Sequence, residues 1–200
     1  YLYGYKNYFQ TFKNIYINGK LPNIILFSGP KGLGKSTFAF HFTNYLLSQN
    51  EKRKYSLDDM KISSENTSFK LVQNGTHPNF FLLSNSSSDE NIKVDQTRNL
   101  LKYLHKTTYS KNIKIVLLDN AEFLNINSSN SLLKIIEEPP NNTYFFIIYN
   151  DTSKLTDTIK SRCLDFKFHF TESKKKEIFR EIINQYDFNY SNLDLEKFLY

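Results

Sequence analysis

Asn23-Ile-Ile-Leu-Phe-Ser28 runs directly into Gly29-Pro-Lys-Gly-Leu-Gly-Lys-Ser36, and reading these two stretches together decides the fold. The first is a short, continuous apolar run closed by Gly-Pro, the pattern of a strand buried on both faces. The second has the spacing G-x-x-x-x-G-K-[ST], and a helix is predicted from residue 34 or 35 to about residue 48. Strand, glycine-rich loop and helix in that order make a phosphate-binding loop. Glycines let the backbone turn and aim N–H groups at phosphate oxygens, and the helix N-terminus adds partial positive charge. Lys35 can reach the β- and γ-phosphates, and the Ser36 hydroxyl can hold Mg²⁺. The expected nucleotide-binding residues are therefore Gly29, Pro30, Lys31, Gly32, Leu33, Gly34, Lys35, Ser36 and Thr37.

Outward from this motif the chain alternates helix and strand. Residues 5–17 carry Tyr5, Tyr8, Phe9, Phe12, Ile15 and Tyr16 at helical spacing, stopped by Asn18-Gly19. Residues 49–76 are polar and weakly periodic and read as loop with one short element. Strands are predicted at 80–83, 114–119, 143–149 and 163–168, and helices at 94–106, 128–138 and 155–160, with a serine-rich loop at 85–90. Parallel strands need crossover connections, so this alternation implies a five-stranded parallel sheet covered by helices on both faces. After Phe170 only helices follow, at 172–185 and 193–199, with Ser191-Asn-Leu-Asp194 resembling a capping box. Ile115-Val-Leu-Leu-Asp119 fits the second half of a nucleotide site, an apolar strand ending in an Asp that anchors Mg²⁺. The alternative is a strand that ends at a turn-favouring Asp-Asn.

Composition excludes several classes. The chain has 200 residues, 40% hydrophobic, and a mean hydropathy of −0.51. The 18 Phe and 14 Tyr offset that polarity, since each enclosed ring buries on the order of 150–250 Å². The longest apolar run, Tyr144-Phe-Phe-Ile-Ile-Tyr149, is far short of the ~20 residues that span a bilayer. One Cys excludes an intramolecular disulfide and any multi-Cys zinc site. No signal-peptide pattern opens the sequence, so a cytoplasmic protein without membrane association is expected. The net charge of +6 leans towards a polyanionic partner without naming one. The short basic runs Lys52-Arg53-Lys54 and Lys174-Lys175-Lys176 read as a solvated loop and a solvated helix face.

Further segments resemble the delta-prime subunits of the bacterial DNA polymerase III clamp loader, which are AAA+ proteins. The resemblance runs through the phosphate loop, His77-Pro78, Val94-Asp-Gln-Thr-Arg98 and Asp119-Asn-Ala-Glu122. It continues through Asn130-Ser-Leu-Leu-Lys-Ile-Ile-Glu-Glu-Pro-Pro140 and Ser161-Arg162-Cys163. It implies an AAA+ P-loop domain over residues 1–168 and the beginning of a small helical lid over residues 169–200. It implies ATP or ADP with Mg²⁺ as ligand, with Ser36 and Asp119 as metal anchors. Asn150 stands where such proteins sense the γ-phosphate, the alternative being an Asn-Asp turn. Arg162 resembles the arginine finger that acts in trans on a neighbour's nucleotide, the alternative being an Arg paired locally at a helix end. Cys163 reads as a buried apolar residue. The implied partners are the other clamp-loader subunits (motor ATPase and delta), with the sliding clamp and primed DNA reached through the assembly.

Two departures qualify that resemblance. Active clamp-loader ATPases carry Glu directly after the strand-end Asp, where this chain has Asn120, with Glu122 three residues past Asp119. An amide cannot act as a general base, so weak or absent intrinsic hydrolysis is expected. Many relatives also carry a four-Cys zinc module between loop and second strand; this chain has no Cys there, and no zinc is expected. A gamma/tau-like motor ATPase is the alternative within the family, and a P-loop small-molecule kinase the alternative outside it.

Overall fold

The computed structural model describes residues 1–85, 91–105 and 113–186. Its apolar runs form five strands, β1 (Ile24–Ser28), β2 (Phe80–Leu83), β3 (Lys114–Leu118), β4 (Thr143–Ile148) and β5 (Leu164–Lys167). Every pairing is parallel and the order across the sheet is β2-β3-β4-β1-β5. β1 and β3 are buried at every position, which is why their sequences are unbroken apolar runs rather than alternating ones. β5 closes one edge and is mostly exposed.

Side chains alternate across the strands and divide the core in two. Ile25 and Phe27 enter one layer beneath helices α1 (Lys6–Ile17) and α2 (Lys35–Leu47). Ile24 and Leu26 enter the other, against α4 (Val94–His105), α5 (Ile126–Glu137) and α6 (Asp157–Lys160). The first layer is built of rings. Phe12 meets Phe166 edge-on at 4.5 Å and Phe38 meets Phe168 at 4.9 Å. Such pairs contribute about 0.5–1.5 kcal/mol each beyond the area they bury. The aromatic excess thus forms the layer that seats α1 and α2 on the sheet.

The polar segment after α2 holds one short helix, α3 (Thr67–Gln73), as its sequence leads one to expect. Its organiser is Asn66, buried at the helix N-cap. Asn66 Oδ1 accepts from Phe69 N at 2.7 Å and from Asn44 Nδ2 of α2 at 2.8 Å, while its Nδ2 donates to the Arg53 carbonyl at 2.6 Å. Glu51 accepts from Thr67 N and Ser68 N, both at 2.9 Å, adding negative charge where the helix N-terminus favours it. The hydrogen bond from Asn44, with Tyr55 stacked on Phe9 at 5.0 Å, holds this segment against α2 and α1.

α7 (Glu172–Gln185) follows β5 and starts at Thr171, whose Oγ1 accepts from Lys174 N at 3.3 Å. It carries the second basic run on an exposed face, where Lys174 and Lys175 pair with Glu177 and Glu172. The first basic run is equally open, with Arg53 meeting Glu65 at 3.2 Å. Ile178 of α7 lies against Gly4, where an added Cβ would collide with the Ile178 side chain.

Two helix starts differ from those the sequence suggests, and one short element is added. α5 begins at Ile126 rather than residue 128, because Asn125 caps it by accepting from Ser128 N at 2.8 Å. A 3-10 turn, Ala121–Phe123, separates β3 from α5. α6 starts at Asp157, two residues later than expected. The helix predicted at 193–199, its capping box and most of the serine-rich loop lie outside the described residues. No helix among the described residues is long and apolar enough to cross a membrane.

His41 of α2 is buried with its Nδ1 at 2.9 Å from the Tyr55 hydroxyl. Burial pushes its pKa down from 6.5 to about 4. Between those values the unfolded chain binds more protons than the folded one. Stability from this group is therefore fully present above pH 6.5 and lost as pH falls towards 4, by up to about 3 kcal/mol. Urea unfolding at neutral and acidic pH should show this loss in the wild type. His41→Phe, which cannot titrate, should lose less between the two pH values; an equal loss contradicts the account.

Candidate functional site

The loop between β1 and α2 is shaped by two backbone requirements. Gly29 has φ +142°, and a Cβ there would lie 2.6 Å from the Phe168 carbonyl oxygen, in the chain just past β5. Only glycine allows that approach. Gly34 caps α2 in the left-handed region, at φ +82°. The first i→i−4 bond of α2 runs from Phe38 N to the Gly34 oxygen at 2.9 Å. The N–H groups of Lys35, Ser36 and Thr37 precede it and point out of the helix end. On the other side, Tyr5 of the N-terminal segment donates its hydroxyl to the Leu33 carbonyl at 2.7 Å. Tyr5 is buried among Phe38, Phe168 and Phe170, so the aromatic layer positions the loop.

Lys35 is buried and its ammonium has three acceptors. They are the Gly29 and Pro30 carbonyls, each at 2.7 Å, and Asn150 Oδ1 at 2.8 Å. Burial pushes the Lys35 pKa below that of an ordinary lysine, opposed by the carboxylates of Asp151, Glu122 and Asp119. Ser36 Oγ donates to Asp119 Oδ1 at 2.8 Å. Burial raises the Asp119 pKa; the bonds from Ser36 and the Asn120 backbone oppose the rise, and Glu122 adds to it. Lys35, Ser36, Asp119 and Asn150, picked from three separate stretches of sequence, thus converge at the C-terminal ends of β1, β3 and β4.

Asn120 follows Asp119 in the left-handed conformation, φ +58°, which an Asn side chain tolerates better than a longer one. Its Nδ2 donates to Asn85 Oδ1 at 3.3 Å, across to the end of β2. Glu122 turns towards β4, where its carboxylate accepts from the backbone N–H of Asn150 at 3.4 Å and from the Asn150 side-chain amide. Sequence reading marked Glu122 only by its distance from Asp119, and its tie to Asn150 had no local signal. The same holds for Tyr5 and Leu33.

Arg162 lies apart from this cluster, in the turn between α6 and β5. Its guanidinium donates to the Thr158 carbonyl at 2.8 Å and pairs with Glu137 of α5 at 2.7 Å, with both side chains well exposed. The local pairing considered from sequence is therefore present within this chain. Cys163 donates to the Ile159 carbonyl at 3.1 Å, and burial pushes its thiol up to about 12, so it is no nucleophile at neutral pH.

Beside the loop opens a cleft of about 300 Å³, walled by Tyr3, Leu33, Phe170, Lys175 and Ile178. The arrangement fits a Mg²⁺–nucleotide on the chemistry of its donors. It has a cradle that a Cβ at Gly29 would spoil, helix-end N–H groups, one ammonium, and a hydroxyl–carboxylate pair able to hold a hard cation.

The family model described as DNA polymerase III, delta subunit matches residues 4–172. The DNA polymerase III subunit delta' of Pseudomonas aeruginosa is 37% identical over 139 residues, covering 70% of this chain and 40% of that protein. The subunit gamma of Buchnera aphidicola subsp. Schizaphis graminum is 28% identical over 166 residues, covering 83% of this chain and 43% of that protein. The chain thus spans less than half the length of these relatives. Among solved structures, a gamma subunit-related protein of Thermotoga maritima superposes with TM-score 0.51 at 19% identity, over 88% of this chain and 49% of that one. The RuvB Holliday junction branch migration motor of the same organism gives 0.53 at 17%, over 91% and 50%. Both show the fold to be that of AAA+ P-loop ATPases.

The contact between Gly29 and the Phe168 carbonyl yields a direct check. Gly29→Ala should cost roughly 2 kcal/mol or more, because relief requires the loop or the chain past β5 to move. Denaturant unfolding of the variant measures it, and a loss under about 0.5 kcal/mol, the usual effect of a surface change, contradicts the described geometry.

Proposed function

The chain belongs to the DNA polymerase III delta-subunit family, and on that premise we propose that it serves as a delta-prime-type subunit of a cytoplasmic clamp loader. The family match over residues 4–172 carries this reading, and the site supplies its chemistry. In the assembly the chain stands beside the motor ATPase and delta subunits and helps place the sliding clamp on primed DNA. Residues 1–168 act as the AAA+ nucleotide domain, and residues 169–200, beginning with α7, as the start of the helical lid.

Lys35, Ser36, Thr37 and the loop N–H groups hold the phosphates of ATP or ADP, and Ser36 and Asp119 hold Mg²⁺. When bound, that ion supplies neutralisation of phosphate charge. Asn150 joins them as the residue facing the terminal phosphate. The cleft beside the loop, with its aromatic and aliphatic walls, suits the nucleobase. Hydrolysis by this chain is slow, because the Asn120 amide cannot take a proton from water. The carboxylate of Glu122 is engaged by Asn150.

Arg162 acts outward. An exposed ion pair such as Arg162–Glu137 contributes about 0–1 kcal/mol. A guanidinium–phosphate contact on a neighbouring subunit is stronger and more directional, so Glu137 holds Arg162 without withholding it. A gamma/tau-type motor is the second reading, favoured by the similarity to gamma subunits and opposed by Asn120.

Two measurements test these assignments. In the reconstituted complex, Arg162→Ala should lower DNA-stimulated ATP turnover several-fold while leaving subunit assembly intact; unchanged turnover rules out the trans role. The purified full-length protein alone should hydrolyse ATP barely above background. Brisk turnover abolished by Lys35→Ala would instead establish the motor reading.

A further inference from the structure

Glu122 takes no part in the phosphate chemistry described above, yet it is joined to its centre. With Asn150 Nδ2 held by the Glu122 carboxylate, Asn150 Oδ1 faces Lys35 Nζ at 2.8 Å. The two ends of the amide are fixed independently, one by an acceptor and the other by a donor, so its orientation is unambiguous. The backbone N–H of Asn150 donates to the same carboxylate at 3.4 Å, which anchors the arrangement to β4. Carboxylate, amide and ammonium form a relay whose polarity is set at its acidic end.

That polarity bears differently on the phosphates of a nucleotide. Phosphate oxygens are acceptors and need donors. A diphosphate is served by the loop N–H groups and by Lys35 from the side of Gly29 and Pro30, the two carbonyls it would displace from the ammonium. A third phosphate reaches further, towards the ends of β3 and β4. There the structure presents the Oδ1 of Asn150 and the carboxylate of Glu122, both acceptors. Accepting a terminal phosphate requires Asn150 to turn its Nδ2 inward, which breaks both the bond to Glu122 and the bond to Lys35.

We propose that Glu122 is a specificity-determining residue that makes this site favour a nucleoside diphosphate over the triphosphate, by holding the acceptor side of Asn150 towards Lys35. The proposal rests on the reading that the loop binds nucleotide, and it sets which nucleotide the chain retains. It acts through position as well as charge. A neutral side chain at 122 both frees the amide to rotate and removes a negative charge from the neighbourhood of the terminal phosphate.

Calorimetric titration of the full-length protein with Mg²⁺ and either ADP or a non-hydrolysable ATP analogue tests this. The wild type should bind ADP at least about tenfold more tightly, a difference of about 1.4 kcal/mol. Glu122→Gln and Glu122→Ala should bring the ratio close to one, chiefly by tightening the triphosphate, with unfolding midpoints measured in parallel. A general loosening of the fold would weaken both nucleotides and leave the ratio alone. Equal affinity of the wild type for the two nucleotides overturns the proposal without recourse to any variant, as does a folded Glu122 variant that keeps the wild-type ratio. Lys35→Ala separates the two levels. Lys35-dependent binding with an unchanged ratio removes only the role of Glu122. Absence of Lys35-dependent binding in the wild type removes the nucleotide reading and this inference with it.

Discussion

The ammonium of Lys35 is buried, and a buried charge persists only where hydrogen bonds replace water. Gly29 and Pro30 supply two acceptors from the loop itself and Asn150 supplies the third from the end of β4. One side chain therefore ties the first strand's loop to the neighbouring strand. The rest of the site depends on this tie. It fixes the curl of the loop, which brings Ser36 to Asp119, and it orients Asn150, which in turn engages Glu122. Tyr5 secures the loop's far side through Leu33. The phosphate loop is thus gripped from both flanks, by a polar network on the sheet side and by an aromatic residue on the N-terminal side.

Much of this was legible in the sequence, for identifiable reasons. The loop was read from spacing because its chemistry is local, with glycines, Lys and Ser within eight positions. β1, β3 and β4 were read as unbroken apolar runs because a parallel sheet buried on both faces permits no alternation. Asp119 is legible because an apolar strand ends in it, whereas Asn150 is marked by the family resemblance alone. α5 starts two residues before the point its sequence suggests because Asn125, rather than a serine, is the cap. Glu122 and Tyr5 escaped because their partners, Asn150 and Leu33, are brought near only by the folded sheet. That Arg162 pairs with Glu137 in particular is hidden for the same reason: nothing in Ser161-Arg162-Cys163 indicates which helix lies opposite.

The segment between α2 and β2 shows how a few shared hydrogen bonds can hold a polar excursion against the body of the fold. Asn66 satisfies a helix end, a neighbouring helix and a loop carbonyl at once, and Glu51 meets the same helix end from the other side. Tyr55 adds the apolar anchor against Phe9 and the polar one against His41.

The strand order carries a consequence in time. β1 lies inside the sheet, between β4 and β5, although it is the first strand in the chain. A ribosome releases β1 and its loop long before residues 143–148 and 164–167 exist to pair with them. Until then the apolar run Ile24-Ile-Leu-Phe27 has no lateral partner and Lys35 has no Asn150. Contacts so distant along the chain close slowly, so the nascent protein carries this apolar strand unpaired while the whole stretch from α2 to β4 is being made.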